Sequence, residues 1–133
     1  MTDVDNEHWI FTVQMGLYRY ARDMNIPLVD ITAKSGIKEF APDWDFLLAY
    51  KNGEISVTEY TRRYHAKVIG NLEQDKTLWE CFLHQPTIAL ACYCKAGDFC
   101  HRYLFTNLLT HYLQQNGKIV IYQGELLPHP NND

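Results

Sequence analysis

The stretch TIALACYCKAGDFCHRYLFTNLL, residues 87–109, decides the fold. Six apolar residues, TIALAC at 87–92, follow Pro86 without a polar interruption, the pattern of a short strand buried on both faces. The polar run CKAGDFC turns the chain, and helical spacing then continues from about 99 to 116, where Gly117 is a suitable glycine just past a helix end. KIVIY, 118–122, is β-branched and aromatic and reads as the last strand. A buried strand, a helix and another buried strand make one parallel βαβ unit.

Upstream of that unit the same alternation occurs. HWIFTV, 8–13, reads as a strand. MGLYRYARDM, 15–24, has helical spacing with Leu17, Tyr18, Ala21 and Met24 on one face. Pro27 ends that helix, LVDI at 28–31 reads as a short buried strand, and TAKSGIKEFAP reads as loop. Asp43 is placed to cap a helix over WDFLLAYKN, with Gly53 beyond its end. Ser56 and Glu59 form an S-x-x-E capping box that opens a helix carrying Tyr60, Tyr64 and Val68. A further helix is expected over about 74–84. The expectation is an α/β fold: a small, doubly wound, mostly parallel four-stranded sheet with helices on both faces and a helical insertion between strands two and three. The 133 residues are expected to form a single domain, with its core over about 9–126 and a loose tail at 127–133.

The bulk properties narrow the function classes. A net charge of -4 argues against a dedicated nucleic-acid binder, which usually presents a basic face. No apolar run approaches the roughly 18 residues of a membrane span, and the acidic start MTDVDNEHW lacks the order of a signal peptide. A cytoplasmic protein is expected, in which four cysteines are buried, reactive or metal-binding rather than bridged.

In a parallel sheet, ligands bind beyond the carboxyl ends of the strands, so the loops after Gln14, Asp30 and Cys92 should face one crevice. Cys92 and Cys94 are two apart and point the same way in an extended segment. Cys100, His101 and Arg102 fall at a helix start, where the dipole attracts anions and lowers a thiol's pKa. Cys100, His101 and Asp30 are therefore the candidate catalytic groups. Arg102, Lys95, Gly16, Cys94 and Cys92 are the candidates for holding a ligand or anion. Each has a plainer reading. Cys92 can be packing at the end of a buried strand, Asp30 can cap its own loop, and Arg102 can be a strut paired with a buried carboxylate. Cys81, beside Phe82 on a helix, reads as core. A metal site from Cys92, Cys94, Cys100 and His101 has suitable residue types, but C-x-C-x5-C-H is not a usual knuckle, so no metal or other cofactor is expected. Trp44, Tyr50, Tyr60 and Tyr64 lie on helical segments and read either as core or as an aromatic lid over the crevice.

Two long segments carry a resemblance. FAPDWDFLLAYKNGEISVTEYTRRY (40–64) and LACYCKAGDFCHRYLFTNLL (90–109) are similar to the paired motifs of the domain of unknown function 488 family. LVDITAKSG (28–36) and IYQGEL (121–126) resemble its second strand and its end, so the likeness runs from about 9 to 126. It implies an α/β fold and no set reaction. It places Cys92, Cys100, His101 and Arg102 on the family's C…CHR motif and Asp30 on its strand-two Asp. Where members often carry an Arg after that Asp, this chain has Lys34 and Lys38. The functional expectation is an enzyme acting on a small anionic or nucleotide-like molecule. The alternatives are a ligand-binding or sequestering domain using the same pocket, or a thiol redox or metal sensor. A homo-oligomer is compatible with all three.

Overall fold

The computed structural model describes residues 6–95 and 98–128. Four strands, β1 (Glu7–Gln14), β2 (Leu28–Asp30), β3 (Thr87–Cys92) and β4 (Ile119–Leu126), form one sheet in the order β2-β3-β1-β4. Every neighbouring pair is parallel. Helix α1 (Tyr18–Asp23) joins β1 to β2. The insertion α2 (Trp44–Lys51), α3 (Val57–Gln74) and α4 (Thr77–Phe82) joins β2 to β3, and α5 (His101–Gln115) joins β3 to β4. None of the helices among the described residues is long and apolar enough to cross a membrane.

This strand order dictates which helix covers which face. The step from β1 to β2 runs one way along the sheet, and both later steps run the other way. Parallel crossovers are right-handed, so α1 must lie on one face and the remaining helices on the opposite one. The core divides accordingly. Ile88 and Leu90 of β3 pack with Phe40, Tyr64, Trp79 and Phe105 beneath the insertion and α5. Ala89 and Ala91, pointing the other way, meet Ala21 of α1 and Val13 of β1.

Local chemistry explains one helix start directly. Ser56 Oγ accepts from the Glu59 amide at 3.1 Å, as the capping box requires. Asp43 precedes α2 but makes no side-chain cap; its carboxylate pairs with Lys67 Nζ at 2.7 Å. The first helix begins as a 3-10 turn, Met15–Leu17, and only Ala21 of its α-helical part is buried. Tyr18 and Met24, expected on its inner face, are exposed. The fourth helix is shorter than the expected 74–84; its N-cap is Lys76, and Asp75 just before it accepts from the Thr77 amide at 2.9 Å. The last strand is longer, continuing to Leu126.

That extension contains a β-bulge. Ile10 pairs with Tyr122, but Phe11 pairs with Gly124, which takes a positive φ of 90°. The extra residue exchanges the faces of everything after it. Leu126 thereby joins the α1 side of the core, and Glu125 turns toward α5.

Candidate functional site

The carboxyl ends of β2 and β3 are adjacent, with Asp30 opposite Ala91, so the loops that follow them meet at one edge of the sheet. The helical insertion leans over that edge and encloses a cavity of about 200 Å³. Its walls are aromatic: Trp44 and Tyr50 from α2, Tyr60 from α3, and Tyr93 and Phe99 from the loop before α5. Trp44 stands at the rim, 52% exposed, whereas Tyr60 is buried and packs edge-on against Phe46 and Phe99. Burial, with the nearby Cys94 and Tyr50, raises the Tyr60 hydroxyl's pKa well above its ordinary value, so it stays protonated. Lys34 and Lys51 also border the cavity, from the β2 loop and the end of α2. Tyr64 lies deeper as core, its hydroxyl donating to the Phe40 carbonyl at 2.6 Å.

The floor is sulfur and imidazole. Cys92, Cys94, Cys100 and His101 all line the cavity. The Sγ atoms of Cys92, Cys94 and Cys100 lie within 4.8 Å of one another. Those of Cys92 and Cys100 are in bonding contact, although their Cα atoms are 7.9 Å apart, wider than the roughly 4.4–6.8 Å usual for a bridged pair. Cys100 is the N-cap residue of α5, at the positive end of the helix dipole. His101 is buried, and its Nε2 lies 2.6 Å from the Ile31 carbonyl. A carbonyl only accepts, so Nε2 carries the proton and Nδ1, 3.7 Å from Cys100 Sγ, presents its lone pair to the sulfur. Burial, aided by the charges of Arg102 and Lys67, lowers the His101 pKa to about 4 and keeps the ring neutral.

Arg102 does not face the crevice. Its side chain is wholly buried, and its guanidinium is spent on the protein itself. Nε donates to Glu125 Oε1 at 2.8 Å, and Nη1 donates to Cys92 Sγ and to the Cys94 carbonyl, each at 2.9 Å. Tyr103 donates to the same Glu125 oxygen at 2.6 Å. The expectation of a ligand-holding arginine gives way to the plainer one, a strut against a carboxylate. Burial raises the Glu125 carboxyl, but the hydrogen bonds from Arg102 and Tyr103 prevail and hold it below its usual range. Glu125 was missed in the sequence, because only the bulge brings it to this face.

Asp30 also works within the chain. Its Oδ1 accepts from the Thr32 amide at 2.9 Å and its Oδ2 from Ser35 Oγ at 2.6 Å. Burial raises its pKa, yet those bonds win and the net shift is downward. Its carboxylate closes the β2 loop, as a strand-end Asp often does. It borders a second, more open cleft of about 420 Å³ at the β2 edge, shared with Leu78 and Cys81, rather than the aromatic cavity. Cys81 is exposed rather than core, since it sits on the outer side of α4. Gly16 lies in the exposed turn after β1, outside both cavities, and Lys95 is exposed without bordering either. The structure thus brings Cys92, Cys94, Cys100 and His101 together, with the Arg102 guanidinium buried behind the two cysteines of the C-x-C segment, and leaves Asp30, Gly16 and Lys95 elsewhere. Phe99, Tyr93 and Lys51 were not singled out in the sequence. The signal for them was weak, because single aromatic or cationic residues in loops and helix ends are common.

A family model described as the active DUF488-N3 subclade matches residues 10–113. No curated protein and no solved structure matches the chain.

Proposed function

The chain belongs to the domain of unknown function 488 family, and from that premise we propose that it is an enzyme acting on a small anionic, nucleotide-like molecule held in the aromatic cavity. One observation carries this reading: a single cavity joins stackable rings, two lysines, three cysteine sulfurs and a neutral imidazole. Trp44 and Tyr50 suit the face of a planar ring, and Lys34 and Lys51 suit an anionic substituent. A volume of about 200 Å³ falls below the roughly 300–1,000 Å³ of common ligand sites, which favours a small occupant. Cys100 and His101 supply the reactive groups, a sulfur at the start of α5 with a neutral imidazole 3.7 Å from it.

Direct titration tests the reading. Nucleoside mono- and diphosphates should quench Trp44 fluorescence saturably, with Trp44→Phe as the control for Trp9 and Trp79. Lys34→Ala and Lys51→Ala should each weaken phosphate-bearing ligands by about tenfold, roughly 1.4 kcal/mol, and leave the parent nucleosides unaffected. Absence of saturable binding across such a panel would sink the reading. One observation favours the quieter alternative, a sequestering domain: Arg102 and Asp30 are already engaged inside the protein. Saturable binding with no product by chromatography selects that alternative.

A further inference from the structure

The sulfur cluster supports a step that the ligand reading does not need. We propose that Cys92, Cys94 and Cys100 bind a zinc ion as three thiolates, with the fourth coordination position opening into the aromatic cavity.

The first support is convergence. Zinc with Zn–S bonds of about 2.3 Å spaces its sulfurs by roughly 3.8 Å at the tetrahedral angle. The Cys94 Sγ lies within 4.8 Å of the other two and is close to that spacing, whereas the Sγ atoms of Cys92 and Cys100, in bonding contact, must part to reach it. The convergence includes Cys94, which a simple Cys92–Cys100 bridge would leave out, and the wide Cα separation of that pair suits ligands meeting at an ion. The sequence spacing argued against a knuckle because knuckles draw both cysteines of a pair from one tight turn. Here Cys92 and Cys94 leave the end of β3 together, and Cys100 returns at the start of α5.

The second support is the surrounding chemistry. Thiolates, not disulfide sulfurs, bind zinc, so the Cys92–Cys100 pair must first be held as two thiols by a thiol reductant that supplies two electrons and two protons. Each of the three thiols then releases a proton to solvent on binding. Two features here favour thiolates. The Arg102 Nη1 donates to Cys92 Sγ, and Cys100 sits at the N-terminus of a fifteen-residue helix. The same Nη1 holds the Cys94 carbonyl, so one buried guanidinium fixes both cysteines of the C-x-C segment. Groups of this kind, which touch the ligands rather than the ion, orient metal sites and tune them. Arg102 is therefore a positioning residue for the centre. All three cysteines border the cavity, so a water or an anionic oxygen of the occupant would take the fourth position.

Zinc content and thiol counting test the site without reference to any ligand. Protein purified under reducing conditions, never exposed to chelator, should carry stoichiometric zinc by elemental analysis. Cys94→Ser should lose it while keeping the native far-ultraviolet spectrum, because Cys94 is only half-buried. Cys81→Ser should keep it. Cobalt should replace zinc and give a thiolate-to-metal charge-transfer band that Cys94→Ser lacks. After chelation and unfolding without reductant, all four thiols should titrate. Trace zinc in the wild type, full zinc in Cys94→Ser, or only two titratable thiols would overturn the proposal. Nucleotide quenching of Trp44 is read on the same samples. Zinc with no quenching removes the ligand reading alone, and quenching with no zinc removes this one alone.

Discussion

Arg102 Nε donates to Glu125 Oε1 at 2.8 Å across the gap between α5 and β4, with the arginine side chain wholly buried and the glutamate nearly so. Removing one partner of a buried pair leaves the other charge uncompensated, at a cost of roughly 3–5 kcal/mol. The slight exposure of Glu125 brings the expected loss for Arg102→Ala to about 2–4 kcal/mol. Arg102→Lys should recover only part of it, because one ammonium cannot reach Glu125, Cys92 and Cys94 together. Urea unfolding of both variants checks this. A loss below about 1 kcal/mol for Arg102→Ala would show a surface-like site.

Gly36 is fixed by the loop it closes. A Cβ there would collide with the Thr32 amide and stand 2.5 Å from the Asp30 carbonyl and 2.7 Å from its carboxylate. Two of these atoms are backbone, so the loop itself must move. Gly36→Ala should cost about 1–3 kcal/mol, the range for overpacking a closed site. It should also raise hydrogen exchange at Thr32 and Ser35. Unchanged exchange would mean that the loop absorbs the methyl elsewhere.

Two aromatics of the insertion should behave oppositely. Tyr64→Phe leaves the buried Phe40 carbonyl without its donor and should cost about 1–3 kcal/mol. Trp44→Ala, at the rim, should shift stability by no more than about 0.5 kcal/mol. Thermal unfolding of the two variants separates core from rim, and equal losses would contradict that division.

His8 should make stability depend on pH. Its ring is buried in β1, with Nδ1 donating to the Gln85 carbonyl at 3.1 Å. Burial lowers its pKa below 6.5, and the charge of Lys118 adds to the effect against that hydrogen bond. As pH falls below about 6.5, the unfolded chain takes up a proton that the folded one refuses, so stability drops. His101, lowered to about 4, acts in the same direction. His8→Asn, which keeps a donor toward Gln85, should reduce the loss of urea midpoint between pH 7 and pH 5 without abolishing it. An unchanged slope would show that His8 titrates normally.

The alternation of apolar strands and helical segments was enough to place all four strands and the insertion, because burial on two faces leaves a continuous apolar run such as TIALAC. The meeting of Cys92, Cys94, Cys100 and His101 was legible for the same reason: strand end, loop and helix start are contiguous. The role of Arg102 was not. Its partner is 23 residues away on another strand, and a one-residue bulge decides which way that partner points. Periodicity within a segment carries no trace of such a pairing. Asp43 shows a smaller version, a good cap residue drawn off by Lys67 from a neighbouring helix. The aromatic cavity lies between these cases. Trp44, Tyr50 and Tyr60 stood out in the sequence, but only the lean of the insertion over the strand ends separates wall from core.

The strand order has a consequence for how the molecule assembles. The first two strands are not neighbours; β3 lies between them and pairs with both. A nascent chain that has emerged only as far as Pro86 therefore holds two strands with no ladder to form. The sheet begins when Thr87–Cys92 slots into the gap, closing loops of tens of residues at once, which is the slow, non-local kind of search. The cysteines that end this strand arrive in the same event, so the chemistry at the floor and the cooperativity of the fold are timed by one six-residue segment.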